Sequence, residues 1–327
     1  MTELVPGVEF RFIETNGIRM KIAEIGEGPL VVLAHGWPDS WLSWRHQMLA
    51  LADEGYHAVA LQMRGYGETD APEAVEAYDI AHLARDIAGA IDALGGGRGH
   101  LVGHDWGSMA AAGAAMFHPE KLASLTLMSV PLTPRSAVPP LSIFRELFGD
   151  SFFYILYHNE PDGIAEAEYD SDVRGVLSRF FLSPDAARHD PEISEPHRRA
   201  GGWIGRLGAP IEPPDWLSAA EFDEMVAMLE KSGFRGGINY YRNFDRNWEL
   251  TEAVASVKVP MPAMFLAGDQ DVVIMGRTAD DLEESMNETM ADLRRVTLIP
   301  GPGHWVQQEN PGAVSESLVS FFQEVDA

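Results

Sequence analysis

The chain has 327 residues, 46% of them apolar and 23% charged, enough for one large core or a core with an inserted domain. Its formal charge of −26 argues against nucleic acid and anionic membrane surfaces as partners, because the long-range field repels both. It contains no cysteine, which removes disulfides, thiolate nucleophiles and cysteine-ligated metals.

The N-terminal stretch, residues 1–10, lacks the basic and apolar regions of a signal peptide. No apolar run approaches the roughly 18 residues that span a bilayer. A cytosolic protein is expected. In chain order, residues 8–14 and 19–25 alternate in strand fashion around Asn16-Gly17, a pair that favours a tight hairpin. Residues 29–34 form a continuous apolar run, as in a buried central strand, and lead into His35-Gly36-Trp37-Pro38-Asp39-Ser40. Helical spacing follows over 41–51, with Ser40 or Asp39 placed to cap it. Residues 56–61 read as the next strand, before the turn-rich Met63-Arg64-Gly65-Tyr66-Gly67. An amphipathic helix over 78–94 stops at Gly95-Gly96-Gly97.

Then comes His100-Leu101-Val102-Gly103-His104-Asp105-Trp106-Gly107-Ser108, a strand, a sharp turn and the start of a small-residue helix over 109–117. Residues 122–130 are another apolar strand, so strand and helix alternate as in a parallel sheet covered on both faces. The alternation breaks after Val130. Residues 131–252 are rich in prolines and aromatics, with helical patches at 141–147, 172–181 and 219–231. Strands resume at 261–266 and 294–298, with helices near 277–290 and 311–322. The predicted organisation is a discontinuous α/β core, residues 1–131 and 253–327, with an α-helical cap inserted over 132–252.

Gly103 and Gly107 flank Asp105 in a glycine–x–nucleophile–x–glycine elbow, which exposes the side chain at its tip. An aspartate at such a turn also caps helices, so the motif needs its context. A carboxylate is a poor nucleophile toward acyl carbon but adequate toward activated sp3 carbon, where it leaves an alkyl ester. Strained cyclic ethers or carbon–halogen bonds are therefore the expected targets. The ester must be split by activated water, which calls for a histidine from a loop at the strand C-termini. Of eleven histidines, His304 lies in such a loop, Pro300-Gly301-Pro302-Gly303-His304-Trp305, and fits the chain order nucleophile, acid, histidine. The orienting acid is expected at Asp271, with Asp269 as the alternative in Gly268-Asp269-Gln270-Asp271. Backbone N–H groups of Trp37 and Trp106 are the expected oxyanion donors, and Pro38 is expected to fix its loop through a cis bond. Trp37, Trp106 and His104 are placed at the substrate pocket, His104 on the far side of the elbow in a packed or hydrogen-bonded position.

With these residues the sequence resembles the soluble epoxide hydrolases of the α/β-hydrolase fold over nearly its whole length. The resemblance rests on His35-Gly36-Trp37-Pro38, Arg64-Gly65-Tyr66-Gly67, Gly103-His104-Asp105-Trp106-Gly107 and Gly303-His304-Trp305. It continues through Phe153–Pro161, Ser232–Gly237 and Asn239-Tyr240-Tyr241-Arg242-Asn243. It implies a mostly parallel eight-stranded sheet with a helical cap, conversion of epoxides to vicinal diols, and no metal or cofactor. It also implies two cap tyrosines that donate to the epoxide oxygen, matching Tyr154 and Tyr241, with Tyr157 and Tyr240 as near neighbours. A phenol, with a pKa of about 10, keeps its proton at neutral pH and can quench an alkoxide. Gln62 stands where the family usually has an aspartate. Residues 182–215 match no motif and are expected to shape the substrate channel. The expected partners are a small-molecule epoxide and water, with no nucleic acid and no membrane, for a monomer or homodimer. The competing functions are a haloalkane dehalogenase, which has no use for cap tyrosines, and a non-catalytic ligand-binding protein of the same fold.

Overall fold

The computed structural model describes residues 4–95 and 97–327. Residues 1–3 of the N-terminal stretch and Gly96 of the predicted helix stop lie outside the described residues. The core opens with β1 (Glu9–Thr15), β2 (Ile18–Ile25) and β3 (Leu30–Ala34), then α1 (Arg45–Asp53), β4 (His57–Leu61), α2 (Ile80–Ala93), β5 (Gly99–His104), α3 (Trp106–Phe117) and β6 (Leu122–Met128). A helical stretch follows: α4 (Pro140–Phe148), α5 (Tyr154–His158), α6 (Ile164–Asp170), α7 (Val173–Phe180), α8 (Ala219–Ser232), α9 (Arg235–Arg242) and α10 (Phe244–Leu250). The core resumes with β7 (Val259–Gly268), α11 (Ala279–Asn287), β8 (Met290–Ile299), α12 (Val306–Glu309) and α13 (Pro311–Asp326).

The eight strands form one sheet in the order β1-β2-β4-β3-β5-β6-β7-β8. β1 and β2 are antiparallel, joined by Asn16 and Gly17 at φ 46° and 75°, the left-handed pair that a two-residue hairpin turn requires. From β4 to β8 every pairing is parallel. β3 and β5 are buried along their whole length, which explains the unbroken apolar run of β3. Their register aligns Ala34 with Gly103, His104 with Met128, and Met128 with Leu266. The loops after β3, β5, β6, β7 and β8 therefore emerge along one edge of the sheet, where ligands bind in open α/β folds.

The predicted helix over 41–51 begins as a single 3-10 turn, Trp41–Trp44, before α1. Ser40 caps it, its hydroxyl accepting the Leu42 N–H, while Asp39 instead accepts the N–H of Ser40. Three predicted helices of the 131–252 stretch correspond to α4, α7 and α8, but sequence spacing missed α5, α6, α9 and α10. α9 is the instructive case. Its Gly236 and Gly237 have poor helix propensity, yet residues 236–241 are all buried, so tertiary packing supplies what propensity lacks. Gly236 is required by contact: a Cβ there would lie 2.5 Å from the Gly65 carbonyl oxygen. Among the described residues no helix is long and apolar enough to cross a membrane.

The loop before α2 ties these helices to the sheet. Arg64 donates to both oxygens of buried Asp86 at 2.7 and 2.5 Å, Asn16 donates to the same carboxylate, and the Arg64 carbonyl accepts the Tyr240 hydroxyl at 2.9 Å. Gln62 packs against Gly67 and takes no part in this pair. Removing one partner strands a buried charge, so Asp86→Ala should cost about 3–5 kcal/mol in urea unfolding. A loss below about 1 kcal/mol would show that the pair does not hold the loop.

Candidate active site

Asp105 sits at φ 54° and ψ −119°, a strained conformation for a non-glycine residue, between β5 and α3. The elbow closes tightly because a Cβ on Gly107 would lie 2.0 Å from the Ala34 carbonyl oxygen, a contact only glycine avoids. α3 starts at Trp106, three residues earlier than its apolar spacing suggests, so the first N–H of the helix is the one beside the carboxylate. The Trp37 N–H donates to Asp105 Oδ1 at 2.8 Å, and the Trp106 N–H hydrogen-bonds the same carboxylate. Trp37 precedes the cis Trp37–Pro38 peptide. His35 holds this loop in place: its Nδ1–H donates to the Gly36 carbonyl at 2.9 Å and its Nε2 accepts the Met63 N–H at 3.1 Å.

The other carboxylate oxygen, Oδ2, lies 3.8 Å from His304 Nε2. On the far side of the ring, His304 Nδ1 is 3.1 and 3.2 Å from the two oxygens of buried Asp271. Asp269 is elsewhere, accepting the Gly301 N–H at 2.8 Å on the surface. Burial pulls the His304 value down, but the charges of Asp271 and Asp105 outweigh it and lift the imidazolium to about 9. Burial raises Asp105 above the usual carboxylate range, against the pull of His304 and the two backbone donors. Asp271 stays below that range: burial pushes it up, but the histidine charge and hydrogen bonds prevail.

A largely apolar cavity of about 400 Å³ is lined by Asp105, Trp106, Met109, Tyr154, Ile155, Tyr241 and Phe244, and extends past Leu132 and Trp248 to Val257. Burial, and then the Asp105 charge, raise both tyrosines well above the ordinary phenol range. Their neighbours are committed elsewhere, Tyr240 to the Arg64 carbonyl and Tyr157 to the Ile164 carbonyl at 3.5 Å and to Glu168.

Three sequence expectations are corrected. His104 does not line the cavity. It is fully buried, and its Nε2–H donates to the His304 carbonyl at 2.7 Å, supporting the histidine loop from beneath. Residues 182–215 supply none of its lining residues, although Trp203 of that segment stacks on the Tyr154 ring at 4.4 Å. The Trp37 indole is also off the cavity wall, stacked on Trp203 at 5.8 Å. Asp39, read from sequence only as a helix cap, is fully buried beside the site. Burial lifts its carboxyl to about 7 despite the Ser43 and Ser40 hydrogen bonds and the charges of Arg45 and His304. The signal available was an acid directly after the Trp37-Pro38 turn.

The chain is 43% identical over 317 residues to epoxide hydrolase A of Mycobacterium tuberculosis, an alignment covering 95% of this chain and 96% of that one. The chain belongs to the epoxide hydrolases of the α/β-hydrolase fold. The family model for that fold matches residues 29–161. The crystal structure of epoxide hydrolase A from Mycobacterium thermoresistibile superposes with a TM-score of 0.88 at 44% identity, covering 97% of this chain and 98% of that chain. An epoxide hydrolase from an endophytic Streptomyces gives 0.89 at 35% identity, covering 98% and 97%. The protein is thus an enzyme acting on epoxides, and the dehalogenase and non-catalytic alternatives are set aside.

In this epoxide hydrolase the folded His304 value lies above the roughly 6.5 of a free imidazole. His304 therefore contributes its stability in full below about pH 6.5, and loses it as pH rises through about 9. Ring-nitrogen NMR should show His304 doubly protonated at neutral pH and titrating near 9, with Asp105→Asn moving that value down. A neutral His304 at pH 7 in the free enzyme would contradict this electrostatic picture.

Proposed function

We propose that the enzyme converts a small-molecule epoxide to a vicinal diol in two steps at Asp105. The observation carrying this assignment is one cavity lined by a raised carboxylate and two tyrosines whose phenols keep their protons. The Tyr154 and Tyr241 hydroxyls polarise the ring oxygen, Asp105 Oδ2 attacks the ring carbon, and the departing oxygen takes a phenolic proton. The oxygen held by Trp37 becomes the ester carbonyl, so the oxyanion donors are in position before they are needed.

Ester formation also prepares the second step. It removes the Asp105 charge, which with Asp271 and Asp39 keeps His304 protonated. His304 is then the weaker base, and its proton returns to the tyrosinate. The neutral ring, oriented by Asp271, takes a proton from water as the water attacks the ester carbonyl. The tetrahedral oxyanion collapses, the second water proton goes to the leaving alkoxide, and the diol departs. Asp105 is again a carboxylate beside an imidazolium. Every step uses only this chain's residues and water.

Residues 132–252 act as the cap that supplies the tyrosines and excludes water, over a core of 1–131 and 253–327. The net charge of −26 disfavours nucleic acid and anionic membrane surfaces as partners. Proton donation of this kind contributes about 10²–10⁴-fold. Tyr154→Phe and Tyr241→Phe should each lower kcat by about tenfold or more, and the double variant by about a hundredfold or more. A double variant with wild-type turnover would remove the tyrosines from the mechanism.

A further inference from the structure

We propose that Glu309 is a positioning residue for His304, holding the histidine-bearing loop for the hydrolytic step. The inference rests on the roles given above to Asp105 and His304. The loop between β8 and α12 contains Gly301 and Gly303, which leave its backbone more freedom than any other residue would. Asp271 orients the imidazole ring, but it does not touch the loop's backbone. A displacement of one ångström there is enough to cost catalysis severely.

The backbone is held from both sides of the histidine by one carboxylate. Glu309 accepts the Gly303 N–H at 3.1 and 3.2 Å through its two oxygens, and the Trp305 N–H at 3.0 Å through Oε1. Between these two amides, the His304 carbonyl is held by His104. Among the described residues no lysine or arginine forms an ion pair with Glu309. Its hydrogen bonds go to the amides that bracket His304, and to one hydroxyl. Burial raises its carboxyl above the usual range, against the pull of the Gly303 amide, Ser183, the Trp305 amide and the His304 charge.

That hydroxyl, on Ser183, extends the same contact into the cap. Ser183 Oγ accepts the Trp216 Nε1–H at 2.9 Å. Beside it, the Trp305 ring stacks on Phe181 at 4.3 Å and its Nε1–H donates to the Phe180 carbonyl at 2.8 Å. Glu309 is therefore the junction through which the segment after α7 bears on the histidine loop. Attack on the epoxide draws on Asp105, the tyrosines and the Trp37 and Trp106 amides, none of which contacts Glu309. Water activation needs Nε2 at its distance from the Asp105 ester, which the loop sets.

The two half-reactions separate this role from general stability. Rapid-quench mass measurement on an aryl epoxide would follow ester formation and ester loss in Glu309→Leu, Glu309→Gln, Ser183→Ala and His304→Gln. Glu309→Leu should form ester within twofold of the wild-type rate and lose it at least tenfold more slowly. Its kcat and KM should then fall together while kcat/KM holds. Glu309→Gln keeps one acceptor oxygen and should fall between Leu and wild type, which keeps the test available if the Leu variant does not fold. Ser183→Ala should slow ester loss and leave ester formation unchanged. Equal slowing of both half-reactions, or unchanged ester loss in both Glu309 variants, would overturn the assignment. Absence of ester in His304→Gln would instead overturn the underlying role of His304.

Discussion

A carboxylate buried under a helical cap would ordinarily take up a proton and lose its nucleophilicity. Three groups oppose that uptake at Asp105: the Trp37 N–H at Oδ1, the Trp106 N–H, and an imidazolium facing Oδ2. This balance is the constraint on which the rest of the structure depends. It needs the positive-φ turn that aims the side chain at the donors, and the glycine that lets the turn close. It also needs a sheet whose strand ends bring three loops to one point.

The same balance couples the two chemical steps. In the resting state the carboxylates of Asp105 and Asp271 hold the histidine charged. Esterification of Asp105 removes one of those charges and leaves a base where an acid had been, at the moment when water must be activated. His104, neutral because burial drives its value down to about 3, adds no further charge while it holds the loop. The tyrosines follow the opposite logic. An apolar cavity and a nearby negative charge keep their phenols protonated, ready for an alkoxide.

Much of this was legible in the sequence because it depends on local pattern. An unbroken apolar run located β3, and glycine spacing around Asp105 located the elbow at the end of β5. Chain order pointed to the His304 loop. What stayed open or hidden depends on packing. Asp269 and Asp271 are two residues apart in one loop, and only the fold turns one to the surface and the other to the histidine. α5, α9 and α10 are short and rich in aromatics, and α9 carries two glycines, so local propensity argues against helix where burial enforces it. His104 lies beneath the loop, off the cavity wall, because strand alternation sends it to the other face from the turn that follows. Glu309 gave no pattern signal, since its partners are backbone amides, which have no sequence signature.

The central claim is that Asp105 carries the substrate as an ester that His304 helps to release. Intact-protein mass spectrometry of His304→Gln mixed with an aryl epoxide tests it most directly. The account predicts a mass gain equal to the whole epoxide, lost when Asp105→Ala is added to the same chain. No adduct, or an adduct that persists without Asp105, would contradict it.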